Sequence, residues 1–411
     1  MHRRLAFVSG GPRITAFHLG WVVLGCAVLL SLIGIHAMDI ARPPAEGVAM
    51  GPVARRQLIF LALGLIAALG SCVTSYRMLV TLAWPIMGIV VGMLVFVLLP
   101  FVPEAIVTPR NGARRWISVG VTDFQPSELA KIAYIILTAA YLRYRKSYRT
   151  LVGLVPPALI TFLPIGLILV EPDLGTALLF VPTLVAMLIA AGAKLRHLIG
   201  TATLGGVFAI GIVVASLLFA RQERYPILRP HQVERIEAVV DRIKGDERHL
   251  DDRGFQGEQA LMLIGAGRIA GHSEEKSRAL VRYSRLPEGH NDMILAVIIN
   301  RFGLLGAWLV IGLYTVQMAA ALLVAGACRD PFGRLVVVGL SAMIVTQATI
   351  NISMNLGLMP ITGMTLPFVS AGGSSLVTGY LMVGLICNVA MRRARYFERE
   401  SFEYDGEDAT L

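Results

Sequence analysis

Arg285-Leu286-Pro287-Glu288-Gly289-His290-Asn291-Asp292 runs directly into the apolar stretch Met293-Ile294-Leu295-Ala296-Val297-Ile298-Ile299, which continues with few interruptions to residue 325. Some ~20 helical residues cross the ~30 Å of hydrocarbon in a bilayer, so 293–325 reads as a membrane span with a carboxylate at its mouth. A membrane enzyme would hold a catalytic base there, and Asp292 is the candidate. The plainer alternative is a solvated helix cap, which is the commoner use of a lone exterior carboxylate.

Working outward, the same apolar pattern recurs at 17–37, 57–74, 79–99, 127–142, 151–170, 174–192, 197–220, 335–356 and 372–391. Ten spans predict an all-α polytopic membrane helix bundle, with one large polar loop, 221–291, between the seventh and eighth. Charged residues make up 16% of the 411, against about 25% in soluble domains, so lipid replaces water as the main solvent. No ten-residue alternating pattern argues for a β-barrel. Cys26, Cys72, Cys328 and Cys387 form no CxxC or Cys/His spacing, which argues against a zinc site or disulfide framework. The basic segment 1–16 precedes an apolar run too long for a cleaved signal's core, so the first span is expected to be retained.

Lysine and arginine in short loops set orientation. With residues 1–16 inside, the cytoplasmic segments hold sixteen basic residues and the opposing short loops six. Both termini, the tails 1–16 and 394–411 flanking a 17–393 membrane domain, are therefore expected in the cytoplasm. The net charge of +10 is mostly this topological bias, and nothing points to nucleic acid.

This orientation puts every unusual polar segment outside. Pro126, Ser127 and Glu128 suit the first turn of a helix, and Glu128 and Lys131 share a face at i, i+3. They form either a local ion pair or part of a polar cavity, since intramembrane charges rarely face lipid. Arg114, Arg115 and Trp116 read as an interfacial anchor or as a diphosphate clamp, for which the guanidinium fork is suited. Glu171 and Asp173 cap a short turn or act as ligands. Residues 231–244 read as an amphipathic helix on the bilayer surface. Gly254 to Gly271, with Gln256 and Gln259, reads as a short helix ending in a glycine-rich turn, a weak phosphate signal. The segment from Gly357 to Ser375 is too broken for a continuous helix and should fold into the bundle mouth, where protein or a wet cavity satisfies its backbone.

Taken in order, the motifs NGARRWISVG, QPSELAK, EPDLGTA, HQVERI, GFQGEQALMLIGAG, LPEGHND and LPFVSAGGSS resemble the SEDS family of bacterial cell-wall proteins (FtsW, RodA and SpoVE) over residues 17–393. The resemblance implies ten spans with both ends inside, in the bacterial cytoplasmic membrane. It also implies polymerisation of lipid II, the polyprenyl-diphosphate-linked disaccharide peptide, into glycan strands at the outer face. By carry-over Asp292 is the catalytic aspartate, Glu128 and Lys131 are a polar pair of the central cavity, and Arg115 and Arg235 are outer-face basic positions. Arg114, Gln259, His290, Ser370, Gly372, Gly373 and Ser374 complete the expected substrate-binding set. Ala191-Gly192-Ala193-Lys194-Leu195 and Thr365-Leu366-Pro367 lean toward FtsW. The family usually carries Thr and Phe where Asn291 and Met293 stand, two glutamates at Asn300 and Arg301, and tyrosine at Ala371.

The chemistry implied is inverting glycosyl transfer, with Asp292 as general base. Arg115, Arg235 or a divalent cation (Mg2+ or Mn2+) would stabilise the departing diphosphate, and no metal ligands are assigned. A class B penicillin-binding protein, a transpeptidase, is the implied partner. Two rivals stand beside this reading: a lipid II flippase with broken helices, and a catalytically impaired scaffold, suggested by Asn300 and Arg301.

Overall fold

The computed structural model describes residues 16–44, 48–110, 113–119, 122–145, 150–200, 203, 252–286 and 288–392. Most of the expected seventh span, the amphipathic stretch 231–244 with Arg235, and both tails lie outside the described residues.

Twelve helices carry the fold among the described residues: α1 Ala16–Ala41, α2 Pro52–Val73, α3 Met78–Leu98, α4 Pro126–Leu142, α5 Val155–Val170, α6 Leu174–Leu178, α7 Phe180–Ala191, α8 Asp252–Gly267, α9 Glu274–Ser284, α10 Ile294–Ala327, α11 Pro331–Asn355 and α12 Gly373–Arg392. Among the described residues, eight helical stretches are long and apolar enough to cross a membrane, α6 and α7 counting together as one. The expected fourth span, α4, is only 17 residues long but is the most enclosed, with fourteen of them buried. It can therefore carry Glu128 and Lys131 without presenting them to lipid.

Helix α1 lies along α10, α2 along α12, and α3 along α4, while α11 packs on α7 and α4. Burial separates centre from edge. Of the most apolar window, 72% is buried in α11, against 22% in α2 and 28% in α3. Lipid-facing surfaces of α2 and α3 expose Ile59, Ile66, Leu69 and Trp84, as a bundle solvated by hydrocarbon should.

Between α3 and α4 the chain forms a three-stranded antiparallel sheet, β1 Val107–Arg110, β2 Ala113–Val119 and β3 Thr122–Phe124. Thr108 pairs with Trp116 and Ile117 with Phe124. The all-α expectation missed this small element. Its signal was present, because Asn111-Gly112 is the favoured two-residue hairpin connection and falls between Arg110 and Ala113.

Helix α10 is two helices joined at a break. Its 34 residues include Gly303 at φ 68, ψ −163, a backbone region open essentially to glycine alone. Residues 304–327 by themselves reach about 36 Å at 1.5 Å per residue, enough for the bilayer. Residues 294–302 form a separate half-helix, buried from Ile294 to Asn300. The loop after α8 locks the break. His272 N donates to Arg301 O at 3.2 Å, and Leu304 N to Arg268 O at 3.0 Å. A Cβ on Gly303 would stand 2.1 Å from Ile269 O, one on Gly267 2.2 Å from Ile299 O, and one on Gly271 2.3 Å from Arg301 O. Gly267, Gly271 and Gly303 thus serve backbone packing, whereas Gly265 has open space where a side chain would stand. We expect Gly303→Ala to destabilise the protein by about 2–3 kcal/mol, seen as a lower melting temperature in detergent. An unchanged melt would contradict the locked break.

Candidate functional site

Asp292 is the second residue before α10, and its backbone carbonyl is pinned from α11. Asn351 Nδ2 and Asn355 Nδ2 each donate to Asp292 O at 2.9 Å. Both asparagines are fully buried, and an i, i+4 spacing places them on one face of α11. Asn351 also donates to Met364 O at 2.6 Å, and Asn355 Oδ1 accepts from Ala296 N at 3.3 Å. Two amides thus fix the start of the half-helix against the broken segment. Neither asparagine was singled out from sequence. Asp292 as a residue is 6% exposed, with Gln256 Nε2 of α8 at 3.4 Å from Oδ1. Gln259, expected to bind substrate, is half-buried further along α8.

The rest of the half-helix is tied to α8 and α9. Asn300 Nδ2 donates to Leu263 O at 3.1 Å and its Oδ1 accepts from Ser277 Oγ at 2.8 Å. Arg301 donates to His272 O at 2.8 Å, its guanidinium 4.9 Å from the Phe302 ring centre. Both departures from the family pattern therefore have structural partners, and Arg301 does not face lipid unaided. Arg278 of α9 bridges Asp39 at the end of α1 and Glu274, both at 2.7 Å, and Asp39 also accepts from Gly51 N.

The irregular segment before α12 folds into the bundle mouth as expected, because side chains satisfy its backbone. Ser370 Oγ donates to Asn291 O at 2.6 Å and accepts from Leu366 N at 2.7 Å. Ala371 N donates to His290 O at 3.0 Å. Gln57 of α2 donates to Ser370 O and accepts from Gly372 N. Gly373 permits contact with Phe60, whose ring would lie 2.4 Å from an added Cβ. His290 is half-buried, and its burial lowers the imidazole pKa, with Arg42 adding to the effect against the opposing Glu288 carboxylate.

A second polar cluster opens α4. Lys131 Nζ lies 2.9 and 2.8 Å from the two Glu128 oxygens and 3.1 Å from Gln347 Oε1. Gln347 Nε2 donates to Thr365 O at 2.9 Å, and Thr365 Oγ1 meets Ser375 Oγ at 3.2 Å. Ser374 Oγ accepts from Gln125 N, and Gln125 Nε2 donates to Asp173 Oδ2 at 3.0 Å. Asp173 caps α6 by accepting from Thr176. Of the expected residues, Asp292, His290, Ser370, Gly372, Gly373, Ser374, Glu128 and Lys131 are thus gathered at one end of the bundle. Arg235 is outside the described residues.

Arg114 and Arg115 are engaged with backbone. Arg114 donates to Pro100 O and Val102 O, and Arg115 to Glu171 O at 2.6 Å and to Pro172 O. They fasten the sheet to the helix ends, an anchoring use. Beside Arg115 the Glu171 carboxyl is 1% exposed, and neither oxygen has a hydrogen-bond partner among the described residues. Burial pushes its pKa up to about 8, Asp173 adds to the rise, and Arg115 opposes it. The folded protein thus holds this proton more tightly than the unfolded chain. Its contribution to stability is complete below the unfolded value near 4.5 and is lost as pH rises toward 8. We expect the melting temperature to fall between about pH 5 and about pH 9 by more than that of Glu171→Gln. Parallel pH profiles for the two proteins would refute the buried-acid account.

Among the described residues no group of three or more His, Cys, Asp or Glu side chains could hold a metal ion.

A family model described as cell cycle protein, covering FtsW, RodA and SpoVE, matches residues 17–395. Stage V sporulation protein E of Bacillus subtilis is 34% identical over 347 residues, 84% of this chain and 88% of that protein. A probable peptidoglycan glycosyltransferase FtsW of Nitrosococcus halophilus is 31% identical over 383 residues, 92% of this chain and 90% of its own length. Among solved structures, a chain of a peptidoglycan synthase complex that coordinates polymerization and crosslinking superposes with TM-score 0.73 at 28% identity, covering 91% of this chain and 98% of that one. The rod shape determining protein RodA of Thermus thermophilus gives TM-score 0.62 at 27% identity, covering 91% and 97%.

Proposed function

The chain belongs to the FtsW, RodA and SpoVE family of cell cycle proteins, and from that premise we propose that it is a peptidoglycan glycosyltransferase polymerising lipid II at the outer face of the bacterial cytoplasmic membrane. The observation that carries the mechanism is the pinned start of α10, where two buried asparagines hold the Asp292 backbone. A base held by rigid elements loses little freedom when substrate arrives.

In this reading the acceptor's 4-hydroxyl attacks the donor's anomeric carbon. A new C–O bond forms there, the bond to the diphosphate oxygen breaks, and polyprenyl diphosphate leaves with the electron pair. Asp292 accepts the hydroxyl proton. Arg42, exposed and close enough to His290 to oppose its protonation, supplies positive charge at the same mouth for the leaving group. Gln256 donates to Asp292 Oδ1, so the acceptor hydroxyl competes with it for that oxygen. A transpeptidase of the class B penicillin-binding type is the proposed partner, supported by the crosslinking complex to which this fold is similar.

Purified protein given labelled lipid II, with and without the transpeptidase, should yield glycan ladders. Translocation of lipid II across vesicle membranes without polymer would overturn the enzymatic reading in favour of transport.

A further inference from the structure

A cavity of about 400 Å³ opens at the end of the bundle opposite Asp292, between the start of α3 and the end of α4. Its walls are Val80, Trp84, Tyr141, Tyr144, Arg143 and Arg145. The Arg143 guanidinium lies 4.1 Å from the Tyr144 ring centre and that of Arg145 4.8 Å from Tyr141. Stacking holds both cations flat against aromatic faces, leaving their N–H edges to meet an anion. No ion pair between described residues uses either arginine. The two stretches that line the cavity, 47–103 and 129–170, contain no Asp or Glu. Trp84 is 67% exposed and Tyr144 74%, and α3 is a peripheral helix, so the cavity opens sideways toward lipid.

We propose that this pocket binds an anionic phospholipid, its phosphodiester between Arg143 and Arg145 and an acyl chain along Val80 and Trp84. The charge selects an anion. The lipid-facing apolar wall selects one carrying a hydrocarbon tail, and exposed Trp and Tyr belong at the headgroup level of a membrane. The orientation proposed above places the site in the inner leaflet, where anionic lipid is drawn to juxtamembrane arginines. The proposal does not depend on the glycosyltransferase reading.

The full chain in detergent, titrated with dioleoylphosphatidylglycerol and dioleoylphosphatidylcholine and read by native mass spectrometry, tests it. Phosphatidylglycerol should bind at least ~20-fold tighter. Arg145→Gln, at an exposed position that leaves the core intact, should lose about fivefold of that preference. Arg143→Gln with Arg145→Gln should abolish it, while Arg334→Gln, a basic residue at the start of α11 that does not line the cavity, should preserve it. Equal binding of the two lipids, or a preference surviving the double substitution, would overturn the pocket. So would an equal loss in Arg334→Gln, which would mean diffuse surface charge. Displacement of phosphatidylglycerol by millimolar inorganic phosphate would overturn the lipid and leave an ion site.

Discussion

Asp292→Ala is expected to lower the rate of glycan polymerisation from labelled lipid II by about 10²–10⁴-fold, the range a positioned general base supplies. The substitution is unusually clean here. The groups that organise the neighbourhood, Asn351 and Asn355, hold the backbone carbonyl of residue 292, and alanine keeps that carbonyl. The melting temperature should therefore stay close to that of the unaltered protein while activity falls. A variant that melts normally and polymerises at the original rate removes Asp292 from the mechanism. One that fails to fold would instead show that the side chain, not the carbonyl, organises the half-helix.

Lys131→Met should have the largest effect on stability. It strands the Glu128 carboxylate inside α4, where both partners are almost wholly buried. Removing one member of a buried pair typically costs about 3–5 kcal/mol, because the other charge is left without compensation. Glu128→Gln added to Lys131→Met removes the stranded charge and should restore most of the lost stability, since a neutral amide can still hydrogen-bond. Unfolding followed by circular dichroism in detergent distinguishes the two variants. If the single and double substitutions melt together, the pair is not the compensated charge described here. The folded double variant then provides a protein in which polymerisation can be measured without the pair.

Much of this was legible in sequence. Apolar runs marked the spans to within a few residues where they are described, and the broken stretch before α12 announced a backbone that protein must satisfy. Asp292, Ser370 and the Glu128–Lys131 pair were all marked by polarity out of keeping with their surroundings. What escaped was partner choice. Arg115 read as an interfacial anchor or as a diphosphate clamp, and only the fold shows it donating to the carbonyls of Glu171 and Pro172. Asn351 and Asn355 carried a readable signal, two amides one turn apart in an apolar helix, which in hydrocarbon must find protein partners. Gly267 and Gly271 gave a weak phosphate signal because a backbone approached by another backbone and one approached by an anion demand the same missing side chain. Gln256 and Gln259 lie nearly on one helix face, and periodicity does not choose between them.

The break at Gly303 has a mechanical meaning. The section of α10 below it is immersed in lipid and must tilt or shift whenever the bilayer thickens, thins or presses on a neighbouring protein. The section above it is clamped by Asn300, Arg301 and the two asparagines of α11. A rigid continuous rod would deliver every such tilt to the reacting groups as a sweeping displacement at its tip. Because the loop after α8 is bonded on both sides of the break, at Arg301 O and Leu304 N, a load on the lower section passes into that loop instead of running up a single rod to the aspartate, as a buttress takes thrust from a wall.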